Sequence, residues 1–208
     1  MVVSAGASGI VLAAGLSTRL RRNKLLLPMG PKPVVAWTVE NAMAAPLEEV
    51  IVVTGHEREE IEAALRHLPV RIVYNPDYAQ GQSTSLKAGV RASSSQSGCF
   101  VIFLGDQPLV GPEIVAALLE RFRRDDPLLV VPVFSGKRGN PVLVSAMLRG
   151  TLLSMTGDAG ARPLLEAHAD SVASLEVHTP AVRMDIDREE DYEACLRVFE
   201  TGPVLPAP

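Results

Sequence analysis

The 208-residue sequence predicts an α/β fold: a mostly parallel sheet with helices on both faces. Short apolar runs alternate with longer amphipathic segments along most of the chain. One run, Phe100 to Leu104, is apolar at every position, as in a strand covered on both faces. A composition 47% hydrophobic and 21% charged can bury a substantial core.

The elements follow in order. Gly9 to Ala14 is the first expected strand, and Pro33 to Ala44 a helix opened by a proline in its first turn. Val50 to Thr54 is a strand, Glu57 to Leu68 a helix, Val70 to Tyr74 a strand and Ser83 to Ala92 a helix. Ser93 to Gly98 forms a polar surface loop before the strand Phe100 to Leu104. Pro112 to Arg124 is a helix and Leu128 to Phe134 a strand; right-handed crossovers join such units into a parallel sheet. Beyond Ser135 the pattern loosens. Pro141 to Val144, Ser174 to Val177 and Met184 to Ile186 are expected as short strands, Gly160 to Ala169 and Arg188 to Phe199 as helices. No repeat and no long linker divides the chain, so one domain over 1–201 is expected, with a disordered proline-containing tail over 202–208.

A net charge of −4 excludes a chain-wide basic surface for nucleic acid, although Arg19, Arg21, Arg22 and Lys24 cluster locally. No apolar run approaches the roughly 20 residues of a membrane span. The two cysteines, Cys99 and Cys195, lack partners at metal-ligand spacing and are expected as buried, inert thiols. With no signal-peptide pattern at Met1 to Gly9, a cytoplasmic protein is expected.

Three segments carry chemistry. After the first strand, Ala13, Ala14 and Gly15 let a ligand approach the backbone, whose N–H groups can cradle phosphate oxygens. Arg19 and Lys24 add full charges, Arg in bidentate fashion and Lys as a point charge. The loop matches neither G-x-x-x-x-G-K-[ST] nor G-x-G-x-x-G, which disfavours a dinucleotide-dependent dehydrogenase; a surface turn with solvated arginines is the plain alternative. The strand Phe100 to Leu104 runs into Gly105-Asp106-Gln107-Pro108, beyond a strand's carboxyl end, where open α/β sheets bind ligands. Asp106 there can hold a hard cation or cap a turn. Asp185 and Asp187, two apart, share one face of an extended segment and can complete a metal site; Asp187 with Glu190 also fits a helix capping box.

Together these segments resemble the molybdenum cofactor nucleotidyltransferases, most closely the cytidylyl branch. Leu12-Ala13-Ala14-Gly15-x-Ser17-x-Arg19 and Lys24 to Pro28 look like the family's nucleotide loop. Asn75 to Leu86 is similar to its second motif and Gly105 to Pro108 to its metal motif. Gly139 to Pro141, Gly157 to Arg162 and Asp185 to Asp187 are similar to its distal motifs, in order from about Ile10 to Tyr192. The resemblance implies a Rossmann-like nucleotidyltransferase fold, with a nucleotide-binding half near 9–110 and an acceptor-binding half near 111–201. It implies Mg2+ at Asp106 with Asp185 or Asp187, and catalytic roles for Lys24, Arg19 and Asp106. Leu12, Ala13, Ala14, Gly15, Ser17, Asn75, Gly81 and Ser83 fall on the nucleotide side. Gln80, Gln107, Arg138, Asn140 and Arg162 fall on the acceptor side. The Ala13-Ala14 pair stands where the guanylyl branch usually has glycine second. The chain departs from the family in Leu20-Arg21, where Met-Gly is usual, and in Arg188-Glu189, where Thr-Pro often follows.

The implied reaction is attack by a molybdopterin phosphate on the α-phosphorus of CTP, or GTP, with loss of pyrophosphate. No general base is needed, and His56, His67, His168 and His178 lie outside the motifs. The implied partners are the nucleotide, a phosphorylated pterin-type acceptor and a molybdoenzyme or its chaperone, the protein being a monomer or weak homodimer. The rivals are transfer to another phosphorylated small molecule and a non-catalytic nucleotide-binding maturation factor.

Overall fold

The first strand, β1 (Ala7–Ala13), is buried at every residue and sits at the centre of the sheet. The computed structural model describes residues 6–17, 19–20, 22–157 and 160–201. The expected tail at 202–208, Arg21, and Asp158 of the Gly157 to Arg162 motif lie outside the described residues.

A two-stranded hairpin, β2 (Pro28–Met29) and β3 (Lys32–Pro33), leads into α1 (Val34–Ala44). There follow β4 (Glu49–Thr54), α2 (Arg58–Leu65), β5 (Arg71–Tyr74), α3 (Gln82–Ala92), β6 (Cys99–Leu104), α4 (Pro112–Asp125) and β7 (Leu129–Phe134). The remaining elements are β8 (Lys137–Arg138), β9 (Val142–Ser145), α5 (Arg149–Ser154), α6 (Arg162–Ala167), β10 (Val172–Glu176) and α7 (Glu189–Thr201). The sheet order is β10-β7-β9-β6-β1-β4-β5, with β8 hydrogen-bonded to β7. Strand β1 runs parallel to β4 and β6, β4 to β5, and β7 to β10. Strand β9 is antiparallel to both β6 and β7, so the sheet is mostly parallel.

Alternation along the strands divides the core in two, because successive side chains leave a strand on opposite faces. Val11, Ala13, Val52, Val101 and Phe103 pack with Val35 and Val39 of α1, Ile61 of α2 and Leu118 of α4. Ile10, Leu12, Ile51, Val53 and Ile102 pack with Leu86 and Val90 of α3, Leu152 of α5 and Leu164 of α6. Helices therefore cover both faces. A third, smaller cluster joins Leu27, Met29 and Val34 around the hairpin to Ile186, Tyr192 and Cys195, and so docks α7 beside the loop that follows β1.

Three expectations are corrected. Met184 to Ile186 is not a strand: it leaves a short 3-10 turn at Pro180–Arg183, and the Ile186 N–H donates to the Asp106 carbonyl (3.2 Å) instead of a ladder. Pro33 stands outside α1 as its N-cap rather than inside its first turn. The loop after α3 is not wholly on the surface, because Ser93 and Ser97 are buried and Ser97 shares a 2.5 Å hydroxyl contact with Ser8. Both cysteines are buried and unpaired, and burial pushes each thiol up to about 12. Among the described residues no helix is long and apolar enough to cross a membrane.

Candidate active site

From β1 the chain order runs outward to β4 and β5 on one side, and then returns across the sheet to β6 on the other. The carboxyl ends of β1 and β6 therefore flank a topological switch point, where open α/β sheets leave a crevice. A cavity of about 830 Å³ lies there, lined by residues of both strand ends, the loop after β1, the start of α3 and the segment before α7.

The loop is shaped by its own hydrogen bonds. Ala14 is buried; Gly15 is exposed, and a Cβ added to it meets no atom within 4 Å, leaving that backbone open to the cavity. Ser17 adopts φ 49°, its hydroxyl accepts from the Lys24 N–H (3.2 Å), and its carbonyl accepts from the Leu20 N–H (3.3 Å). That pinch brings Arg19 and Lys24 to one rim. Asn23 then caps the turn beginning at Lys24, accepting from the Leu25 N–H (3.0 Å).

The opposite rim is acidic. Gly105 lets β6 turn tightly, because a Cβ there would come 2.9 Å from the Leu12 carbonyl oxygen. Asp106 follows, 7% exposed. The Ile186 N–H bond to its carbonyl stitches the segment before α7 alongside, so that Asp106, Asp185 and Asp187 each present an oxygen within 4.8 Å of the others. Hard oxygen donors so grouped suit a divalent cation. The Lys24 ammonium bridges two of them, 2.5 Å from Asp106 Oδ2 and 2.7 Å from Asp187 Oδ1, and Arg19 pairs with the other oxygen of Asp187.

The charges respond to one another. Burial alone would lower the Lys24 value, but the two carboxylates override it and hold the ammonium above its ordinary range. Burial pushes the Asp106 carboxyl up, while Lys24 pulls it back only in part. The Lys24 hydrogen bond holds Asp187 below the usual carboxylate range, against its own partial desolvation.

Asp187 is not a helix cap. Its carboxylate is spent on Lys24 and Arg19, and Asp191 instead accepts from the Asp187 and Arg188 N–H groups (3.2 and 2.8 Å). Nor does Asp106 cap α4, whose N-cap is Gly111 without a side-chain bond. Next to Asp187, Arg22 forms a two-pronged pair with Glu189 (2.6 and 2.9 Å) and lies 6.0 Å from the Tyr192 ring centre.

Of the residues singled out in the sequence, Leu12, Ala14, Gly15, Ser17, Arg19, Lys24, Gln80, Gly81, Asp106, Asp185 and Asp187 line the cavity. Arg138, Asn140 and Arg162 line a second cavity of about 230 Å³ that shares Leu12, Gln82 and Leu104 with the first. Ala13, Asn75, Ser83 and Gln107 are buried and line neither cavity. Asn75 braces the start of α3 by donating to Thr84 and Ser85 (2.8 and 3.0 Å). The cavity wall also includes Leu16, Tyr78, Gln82 and Ser85, which the sequence did not single out. Tyr78, Gln82 and Ser85 lie inside the Asn75 to Leu86 motif, the signal that could have found them.

Over residues 9–172 the chain matches the MobA-like NTP transferase domain. It is 31% identical over 184 residues to the molybdenum cofactor cytidylyltransferase of Escherichia coli (strain K12), covering 88% of this chain and 92% of that protein. It is 30% identical to the nicotine blue oxidoreductase of Paenarthrobacter nicotinovorans, with 91% and 96% covered. The structure of Rv0371C from Mycobacterium tuberculosis H37Rv in complex with manganese superposes with a TM-score of 0.80 at 26% identity, covering 92% of this chain and 98% of that one. The chain belongs to the MobA-like NTP transferase family and is a nucleotidyltransferase on that family's Rossmann-like sheet.

Proposed function

We propose that this enzyme transfers CMP from CTP to the phosphate of molybdopterin and releases pyrophosphate. One observation carries the proposal: Lys24 and Arg19 face Asp106 and Asp187 across a single cleft at the switch point. Those are two cations for a triphosphate and clustered carboxylates for a hard metal ion. Cytidine and the pterin acceptor rest on the 31% identical cytidylyltransferase and on the Ala13-Ala14 pair.

Asp106, Asp185 and Asp187 would hold magnesium, which when bound neutralises charge on the phosphates of the nucleotide. Manganese, bound in the mycobacterial relative, is the alternative ion. Lys24 exchanges a carboxylate for the α-phosphate oxygens, and Arg19 leaves Asp187 for the departing pyrophosphate. The open backbone of Ala14, Gly15 and Ser17 takes the nucleotide phosphates. Gln80 and Gly81 bound the cleft on the α3 side, and Arg138, Asn140 and Arg162 face the anionic acceptor in the second cavity. Ala13, Asn75, Ser83 and Gln107 support these walls from behind. The acceptor phosphate oxygen forms a bond to the α-phosphorus; the bond from that phosphorus to the bridging oxygen breaks, and pyrophosphate leaves with the electron pair. A phosphate nucleophile is already ionised at neutral pH, so positioning and charge stabilisation lower the barrier without a base.

The 30% identical relative named an oxidoreductase favours a second reading, redox chemistry on the same fold. Pyrophosphate release, followed with CTP, GTP, ATP and UTP against molybdopterin and other phosphorylated acceptors, separates them. Release with CTP and molybdopterin is expected. Release only with a sugar phosphate, methylerythritol phosphate or phospholactate moves the acceptor, and CTP binding without release under any acceptor sinks transfer altogether. We propose further that the enzyme works in the cytoplasm, as a monomer or weak homodimer serving a molybdoenzyme or its chaperone.

A further inference from the structure

We propose that the Arg22–Glu189 pair is a clasp that positions Lys24 and Arg19 for CTP by holding the loop after β1 on the start of α7. This rests on the reading above only in placing CTP at that loop, so binding tests it without turnover. Among the described residues three side-chain pairs join residues 17–24 to residues 185–192: Arg19 with Asp187, Lys24 with Asp187, and Arg22 with Glu189. Arg19, Lys24 and Asp187 line the large cavity, where a triphosphate competes with Asp187 for both cations. Arg22 and Glu189 line neither cavity, so a nucleotide bound there leaves their pair in place.

The geometry suits a clasp. Arg22 Nη2 donates to both carboxylate oxygens of Glu189, at 2.6 and 2.9 Å, which fixes direction as well as distance. The same guanidinium lies 6.0 Å from the Tyr192 ring centre, within reach of cation–π attraction. That ring is a fixed backing, because Tyr192 is buried and its hydroxyl donates to the Pro28 carbonyl. Glu189 is the first residue of α7, where the helix dipole favours a carboxylate. Arg22 stands two residues before Lys24, and Glu189 two after Asp187; two residues of extended chain span at most about 7 Å. Fastening the outer pair therefore limits how far Lys24 strays from the carboxylates when it changes partner. Both clasp residues are about half exposed, so the pair adds little to global stability. Its effect falls on the local turn, which rests on the Lys24 N–H bond to Ser17 Oγ (3.2 Å) and the Leu26 N–H bond to the Asn23 carbonyl (3.1 Å).

The test compares Arg22→Gln, Glu189→Gln, the reversals Arg22→Glu and Glu189→Arg, and the double reversal with the wild-type chain. Calorimetry reads CTP binding in the presence of Mn2+; hydrogen exchange by mass spectrometry reads the amides of residues 22–27; thermal melting reads the fold. Each neutral variant is expected to melt with the wild type, to bind CTP about two- to fivefold more weakly, and to exchange faster over 22–27. That range is the one for an exposed ion pair. Each single reversal is expected to bind more weakly still, and the double reversal to return binding and exchange to within about twofold of wild type. In pyrophosphate release with Mg2+ and molybdopterin, the loss is expected in KM for CTP, with kcat within about twofold of wild type. Wild-type binding in Glu189→Gln overturns the proposal whatever Arg22→Gln does, because Arg22 then acts alone. So does a double reversal no better than its single variants, or weaker binding with unchanged exchange. A wild-type chain that binds CTP with Mn2+ yet releases no pyrophosphate overturns the transfer reading, and binding and exchange alone then decide the clasp. A wild-type chain that does not bind CTP overturns both.

Discussion

Lys24 is the residue on which the site turns, because its one ammonium joins two carboxylates that lie on different segments. The charges at Arg19, Lys24 and Asp106 were legible in the sequence: the two cations follow the small residues Ala13 to Gly15 after one apolar run, and Asp106 follows Gly105 after another. Their pairing was not, since Lys24 and Asp187 are separated by 163 positions and only the sheet brings them together. For the same reason Asp187 looked equally like a helix cap, a role that Asp191 takes. Neutral or aromatic site residues such as Gln82 and Tyr78 carry no charge signature, and were visible only as members of a longer motif. The Asp187 carboxyl, held low by its Lys24 hydrogen bond, has a folded value beneath its unfolded one. Its contribution to stability is whole above the ordinary Asp value of about 3.9 and disappears as pH falls through the lowered folded value. Urea unfolding between pH 6 and pH 2 should therefore be less steeply pH-dependent in Asp187→Asn than in wild type; parallel curves would contradict the assigned pair. By contrast Arg22 and Glu189 are both about half exposed, and Glu189→Gln should shift stability by less than about 1 kcal/mol in the same assay.

At the scale of elements, strands rich in β-branched residues and helices with clear apolar stripes were readable to within about three residues at their ends. Helix α4 is an example: Pro112 occupies its first turn, and Ile114, Val115, Leu118 and Leu119 form the buried stripe. The hairpin β2–β3 was missed because two prolines in four strand residues argue against strands, and each strand is only two residues long. The direction of β9 was also hidden, since a four-residue apolar run looks alike parallel or antiparallel. Leu118 is fully buried, so Leu118→Ala should cost about 2–5 kcal/mol in urea unfolding. A cost below about 1 kcal/mol would mean that α4 does not pack on the sheet as described. Cys99 in β6 and Cys195 in α7 have thiols pushed up to about 12. Mass spectrometry after iodoacetamide treatment at pH 8 should find neither modified in the native protein and both modified in denaturant. Native-state labelling of either would contradict the docking of its element.

Across the whole molecule, chain order makes the site. The chain builds outward from β1 to β5 and then returns to β6, so two loops of opposite charge end beside each other at the switch point. The sequence alternation predicted a parallel sheet, and the general rule for such sheets pointed beyond the strand that ends at Asp106, where the large cavity lies. Which strands would be neighbours followed from the fold alone. The central claim is that Lys24 and Asp106 act on the nucleotide rather than merely stabilising each other. The most direct measurement is pyrophosphate release from CTP with magnesium and molybdopterin by wild type, Lys24→Ala and Asp106→Ala, each checked for its fold by circular dichroism. The expected result is turnover in the wild type and its loss in both folded variants. Near-wild-type turnover in either folded variant would contradict the account.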